Sequence, residues 1–495
     1  MDHTARTSII ATLGPASFDA SVLEKMVAAG ASILRINGSH GTTGQHESMV
    51  AMVRALEDQL GRPLAILLDL PGPKVRVGEM DFGPVVVERG GRVLLDGRSP
   101  QCRLEDDGTV VLAVTYPQIV GDLTPADRVV IADGVVQLQA VESSGDTCLC
   151  EVRVGGEIDQ GKGINLPDSE LDIPAMGDRD RKLVAWAVAS GIDFIGLSFV
   201  QREEDVVELR SWIDFCKDDG AIGPGVIAKF ETQQAMNHAI EIVMAADAIM
   251  VARGDLGVQI NLASVPVAQR ELLSLSAQAA RPAIVATQVL ESMVKHPVPT
   301  RAEAGDIATA VRDGADALML SAETAIGDHP VTAIAAMDEI ASVAESAFTQ
   351  RMAIPDMSEH LEPWERELAS IGHGVIEIAQ GLGARGVIFW TVQGRGPRLA
   401  SRYPTHLDLV AMTDSLAVAR RLLLLRGVRP LMIAAPPTPR DLLGVVDEVV
   451  APAMGYAQGD RCLVVAAAPL GASGKLNRIM IHEVGTGIGA IPPLV

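Results

Sequence analysis

The sequence predicts an α/β protein: a (β/α)8 TIM barrel with a small all-β lid domain inserted after the third barrel strand and an open α/β domain at the carboxyl end. Three observations predict it. Short apolar runs alternate with helix-like segments until eight have passed. The alternation breaks once, between residues 74 and 166, where short alternating strands replace the helices. A second α/β pattern begins beyond residue 368.

The first four runs are SIIATLG (8–14), ILRIN (33–37), LAILLDL (64–70) and FIGLSF (194–199). VIAKFE (226–231), AIMVARG (248–254), AIVATQ (283–288) and ALMLSAE (317–323) complete the set. Segments such as SVLEKMVAAG, EEDVVELRSWIDFCK, QQAMNHAIEIVMAA and PVAQRELLSLSAQAA supply crossover helices, which places all carboxyl strand ends on one side. Those ends carry Thr12, Arg35 with Asn37, Asp69, Ser198, Lys229 with Glu231, Arg253 with Asp255, Thr287 with Gln288, and Ser321 with Glu323. Polar residues at every carboxyl end, above a packed apolar interior, read as an active-site rim.

A βαβ unit needs about 30 residues, and the gap from Asp69 to Phe194 is far longer. Its stretch VRVGEMDFGPVVVERGGRVLLDG and the run DRVVIADGVVQLQAVESSGDTCLCEVRVGG have the period and the Gly/Asp turns of short strands. Inserted on an active-site loop, such a domain suits a lid that excludes water. The predicted division is 1–73 with 167–345 as barrel, 74–166 as lid, 346–367 as linker, including the polar MSEHLEPWERE, and 368–495 as carboxyl domain. The strands expected in that last part are VIFWT, DLVAMT, RPLMIAA and CLVVAAA.

Composition narrows the class. An apolar content of 48% over 495 residues is ample for a folded core without staples. A net charge of −22 argues against nucleic-acid binding and against attachment to an anionic membrane. The five cysteines contain no CxxC, and Cys148 and Cys150 read as strand residues, not a zinc site. With no signal-like segment and no run of about eighteen apolar residues, a reduced, cytoplasmic protein is expected.

The chemistry concentrates in residues 226–257. Lys229 and Glu231 lie two apart on a strand end and so share a face, while Asp255 arrives from the neighbouring strand. One ammonium beside two carboxylates suits a phosphate and its Mg2+. On these residues alone a plain ion pair at the rim fits equally well.

The longer motifs resemble pyruvate kinase, nearly end to end. RINGSHG (35–41) resembles that family's Arg-Φ-Asn-Phe-Ser-His-Gly, with Gly38 in place of the aromatic residue. MVARGDLG, ATQVLESM, PTRAEAGDIATAVRDGADALMLSAETAIGDHP, GKGINLP (161–167) and PLGASGKLN (469–477) are similar too. The resemblance implies an enzyme, a homotetramer of barrel, β lid and carboxyl effector domain, that moves the phosphoryl group of phosphoenolpyruvate to ADP in the last step of glycolysis. It implies that Glu231 and Asp255 hold Mg2+ or Mn2+, that Lys229 lies against the phosphoryl group and that Arg35 grips it. The backbone amides of Gly254 and Asp255 would take the substrate carboxylate, and Thr287 would belong to the relay that protonates the enolate. Asn37, His40, Arg76 and Lys162 would form the ADP/ATP site.

Two departures matter. Where the commoner pattern reads Asp-Thr-Lys-Gly-Pro-Glu-Φ-Arg, this chain has Asp69-Leu70-Pro71-Gly72-Pro73-Lys74-Val75-Arg76. In potassium-dependent members the ion sits among residues matching Asn37, Ser39, Asp69 and the Leu70 carbonyl. Lys74 in place of glutamate would supply that charge, so no K+ requirement is expected. The effector loop of the carboxyl domain has lost most of its hydroxyls, leaving Arg395 and Arg398 to receive a phosphorylated effector. Two other readings compete: an aldol-type lyase that stabilises a pyruvate enolate on Mg2+, which needs no Arg76 or Lys162, and a non-enzymatic effector-binding relative, which has no use for an intact Lys229, Glu231 and Asp255 set.

Overall fold

A computed structural model describes residues 5–486 except 117, 133, 170–172, 349–353, 358 and 472–475. The expected eight strands form: β1 (Ser8–Thr12), β2 (Ala31–Asn37), β3 (Ala65–Asp69), β4 (Phe194–Leu197), β5 (Gly225–Phe230), β6 (Ala248–Ala252), β7 (Ala283–Ala286) and β8 (Ala317–Leu320). They close into one parallel barrel, with β8 pairing back to β1.

Strand parity explains how this barrel carries a polar rim. Ile10, Ile33, Leu67, Phe194, Ile227 and Met319 pack together inside the barrel. Their alternates Ile9, Leu34, Leu68, Ile195, Ala228 and Leu318 join the larger core shared with the surrounding helices. Advancing two or four residues along the inward parity of five of these strands reaches Thr12, Arg35, Asp69, Ser198, Lys229 and Glu231 in turn. One alternation therefore buries apolar side chains low in the barrel and presents polar ones at its carboxyl end.

Some helices differ from expectation. The run QQAMNHAIEIVMAA forms two, Gln233–Asn237 and Ala239–Ala245, because His238 leaves the helical region with φ −113° and ψ 30°. The helix Pro330–Phe348 extends beyond residue 346, and another starts at Pro363, whose fixed φ suits a first turn. That second helix places Glu365 of the expected linker in a buried ion pair with Arg398. Parts of the 346–367 linker, and residues 472–475 of PLGASGKLN, lie outside the described residues.

Between β3 and β4 the chain makes a seven-stranded sheet and a two-stranded one around a separate apolar core that includes Val93, Leu112, Val129, Leu138 and Cys150. The carboxyl region forms a five-stranded sheet in which Gly386–Trp390, Asp408–Thr413, Val428–Met432 and Arg461–Ala466 are parallel. The sequence pattern misses the fifth strand, Arg478–Glu483, which pairs antiparallel at the edge. It is mostly exposed, so it lacks the apolar run that marks the others.

This sheet domain docks under the barrel. Leu424 enters the barrel's interior cluster from below. Arg402 pairs with Asp316, and Arg420 donates to Glu57 at 2.9 Å. All five cysteines are free thiols. Among the described residues no helix is long and apolar enough to cross a membrane.

Candidate active site

Three adjacent strands build the centre of the rim. Asp69 ends β3, Lys229 lies near the end of β5, and β4 runs between them with Gly196 at the crossing point. A Cβ on Gly196 would stand 3.3 Å from Asp69 Oδ1 and 3.6 Å from Lys229 Cδ, so the missing side chain opens the space in which the two charges meet. The Lys229 ammonium then lies 3.0 Å from Asp69, 2.8 Å from Glu231 and 2.7 Å from the Ser198 hydroxyl. Ser198 in turn donates to the Leu70 carbonyl at 2.7 Å.

Arg35 completes the cluster from β2. Its Nε donates to Asp69 Oδ2 at 2.8 Å, and a terminal nitrogen donates to the Thr12 hydroxyl at 2.9 Å. Glu231 also accepts the Phe199 N–H at 2.8 Å. Arg35, Asp69, Lys229 and Glu231 are all buried, so their charges act at short range in a poorly screened environment.

The titration behaviour follows from this arrangement. Burial alone would raise the Asp69 carboxyl, but the Lys229 and Arg35 cations outweigh it and hold it below the usual carboxylate range. Burial would likewise lower the Lys229 ammonium, yet Asp69 and Glu231 raise it, and it stays charged. Glu231 moves the other way: burial, then the repulsion of Asp255 and Asp69, raises it against the pull of Lys229. Glu231 and Asp255 thus face one another as like charges, an arrangement that a shared cation relieves. Hard carboxylate oxygens of this kind fit Mg2+ or Mn2+. Among the described residues no group of three or more His, Cys, Asp or Glu is gathered as a metal cage. A site with two protein carboxylates would leave its remaining positions to substrate and water.

Asp255 sits in the first turn of the helix Arg253–Gln259, directly after β6. Its Oδ1 accepts the Lys74 ammonium at 2.9 Å. Lys74, expected to supply the charge of the monovalent ion, thus pairs with the candidate metal carboxylate, while the cations acting on Asp69 are Lys229 and Arg35. Of the remaining monovalent-ion residues, the Asn37 side chain accepts the Ser39 N–H at 3.1 Å, and the Asp69 carbonyl accepts the Gly38 N–H at 2.9 Å.

The Gly254 amide, expected with that of Asp255 to take the substrate carboxylate, donates here to the Thr287 hydroxyl at 2.8 Å, which donates onward to the Ala286 carbonyl at 2.7 Å. Arg253, read from the sequence as part of the rim, turns away from it. Its guanidinium donates to the Thr287 and Gln288 carbonyls, both at 2.9 Å, and to Asp306 at 2.6 Å.

The four residues expected at the nucleotide fall in two places. Arg76 and Lys162 are exposed on adjacent lid segments joined by the Arg76–Gly163 bridge, and Arg76 donates to the Gly161 carbonyl at 2.8 Å. Asn37 and His40 lie at the end of β2 and the loop after it. Among the described residues no hydrogen bond or ion pair links the two places. The sequence reading placed Ser198 and Arg253 on the rim without naming their partners and passed over Gly196 and the Phe199 amide. Inward parity on β4 would have found Gly196.

Comparison with known proteins agrees with this geometry. A family model described as pyruvate kinase, barrel domain, matches residues 4–334, and one described as pyruvate kinase, alpha/beta domain, matches 369–482. The pyruvate kinase of Methylorubrum extorquens is 37% identical over 482 residues, covering 97% of this chain and 98% of that protein. That of Corynebacterium glutamicum is 36% identical over 483 residues with the same coverage, and that of Geobacillus stearothermophilus is 33% identical over 492 residues, covering 98% and 82%.

Proposed function

The chain belongs to the pyruvate kinase family of phosphotransferases, and from that premise we propose how its rim moves the phosphoryl group of phosphoenolpyruvate to ADP, giving pyruvate and ATP. The observation that carries the proposal is the buried cluster of Arg35, Lys229, Asp69 and Glu231, with Asp255 facing it.

Arg35 and Lys229 are fixed before substrate arrives, because Asp69 holds both. Two preorganised cations at one point suit the equatorial oxygens of a phosphoryl group in transit, where most catalysis of this reaction class resides. Glu231 and Asp255 are the residues that would hold Mg2+ or Mn2+, which when bound supplies further charge neutralisation for the phosphoryl and carboxylate oxygens. Thr287, held by the Gly254 amide, orients the protonation of the enolate and is not itself an acid of useful strength. For the substrate carboxylate to use the Gly254 amide it must displace that hydroxyl. Arg76 and Lys162, exposed on the lid, grip the nucleotide phosphates together with Asn37 and His40. A lyase acting on an enolate has no use for the first two.

Lys74 in place of glutamate makes the rim more positive by two charges, and on that ground we assign the enzyme no K+ requirement. Homotetrameric assembly and a cytoplasmic location belong to the same proposal. A phosphorylated effector would meet Arg395, which stacks 4.6 Å from the Trp364 ring centre, rather than Arg398, which is committed to the Ala280 carbonyl and Glu365. The test is pyruvate and ATP formation from phosphoenolpyruvate and ADP with and without a divalent cation. Failure to form ATP when all three are present overturns the proposal.

A further inference from the structure

Lys74 follows Pro73 where the chain leaves the barrel rim for the lid. Its side chain is guided by the lid's other crossing segment. Ile164 N–H donates to the Val75 carbonyl at 2.8 Å, and a Cβ on neighbouring Gly163 would stand 2.8 Å from Lys74 Cε. The lysine stem therefore crosses the returning lid segment at Gly163, where no side chain obstructs it. Beyond that crossing its ammonium meets Asp255 on the barrel.

The ion pairs at the centre of the site set Arg35, Lys74 and Lys229 against Asp69, Glu231 and Asp255. Arg35 and Lys229 are shared with Asp69 in the buried centre, whereas the Lys74–Asp255 pair is about a quarter exposed on each side and so meets solvent. Lys74 thus neutralises the very charge that a cation would otherwise be drawn to.

We propose that Lys74 is a tethered counter-ion that occupies Asp255 until a divalent cation displaces it, so that cation binding is coupled to the position of the lid. The inference rests on the reading that Glu231 and Asp255 hold the metal. Lys74 must release Asp255 before that carboxylate can serve a cation, and the fraction of protein in which it has done so scales the apparent affinity. Because Lys74 and Gly163 lie on the two segments that join lid to barrel, the release also frees one link between those domains.

The test measures Mn2+ binding without substrates, from the free-ion electron paramagnetic resonance signal, in the wild type, Lys74→Met, Lys74→Gln and Glu231→Gln. Both Lys74 variants should bind Mn2+ about tenfold more tightly than wild type, and Glu231→Gln should bind it far more weakly. Limited proteolysis gives a second readout: Mn2+ should change cleavage within the lid of the wild type and not of Lys74→Met. Unchanged or weaker Mn2+ binding in both Lys74 variants, with Glu231→Gln still impaired, overturns the counter-ion and leaves the metal assignment standing. Unchanged binding in Glu231→Gln overturns the metal assignment and the inference with it.

Discussion

Replacing Lys229 with methionine keeps the length of the side chain and removes its charge, and the structure sets what is left behind. Asp69 keeps Arg35 as a partner at 2.7 Å. Glu231 keeps only the Phe199 N–H and still faces Asp255. Breaking a buried pair on one side costs about 3–5 kcal/mol when the remaining charge stays ionised. Here Glu231 has an alternative, because burial already raises it and loss of Lys229 raises it further, so it takes up a proton. The folded state then binds more protons than the unfolded one, and stability falls as pH rises through the raised value. Denaturant unfolding should therefore show a small deficit relative to wild type near pH 5 and a larger one near pH 8. Turnover should drop by about 10² or more, on the order of 2.7 kcal/mol of barrier, as for other preorganised transition-state contacts. Coupled measurement of pyruvate formation reads the second effect. Turnover within a few-fold of wild type removes Lys229 from the phosphoryl group, and a stability deficit that grows toward low pH refutes the charge argument.

Glu57 bridges the barrel and carboxyl domains: burial would raise its carboxyl, but the Arg420 hydrogen bond, the Leu64 N–H and Arg54 lower it. A depressed carboxyl stabilises at neutral pH and loses that contribution as pH falls through its folded value. Glu57→Gln should thus cost about 3 kcal/mol at pH 7 and progressively less as pH falls through the lowered value of the folded carboxyl, and a difference independent of pH in parallel melts speaks against the bridge. Deleting residues 77–160 should leave a folded barrel without phosphoryl transfer, because the retained flanks already lie side by side, Arg76 bridging to Gly163 and donating to the Gly161 carbonyl at 2.8 Å, a gap that a short glycine linker can span. Efficient ATP formation by the deleted protein rules out the lid role. In a tetramethylammonium-buffered assay at matched ionic strength, added KCl should stimulate the wild type less than about tenfold, or 1.4 kcal/mol, whereas Lys74→Glu should create a requirement; a larger stimulation of the wild type ends the claim of potassium independence.

The barrel was legible because two periodicities coincide in it. The same alternation that puts Ile227 inside puts Lys229 and Glu231 on the rim, so a strand and its chemistry are read from one pattern. What escaped the sequence was set by contacts between segments far apart in the chain. Nothing near Lys74 announces that Gly163 will open a path to Asp255, and nothing in ATQVLESM announces that the Gly254 amide will be taken by Thr287. The edge strand Arg478–Glu483 escaped for a different reason: solvent covers most of it, and solvent leaves no apolar signature.

The segment after β7 shows how such long-range contacts override a local rule. Thr287 and Gln288 have φ of 65° and 51°, the left-handed region that a β-branched residue avoids at a cost of about 1–3 kcal/mol. No glycine marks the place, so sequence alone reads an ordinary strand end. The conformation is held from outside, by Arg253 donating to both carbonyls and anchored in turn by Asp306, and from inside, by the Gly254 amide on the Thr287 hydroxyl. Arg253 and Gly254 are consecutive, so the first turn of the helix that follows β6 holds the neighbouring loop at two points at once. A residue that looks like a rim cation thus spends its charge on Asp306 and the carbonyls of the neighbouring loop, and what it secures is the direction of a hydroxyl within the site. Local preference yields where function demands one fixed direction, and here the yielding residue is the threonine assigned to the enolate.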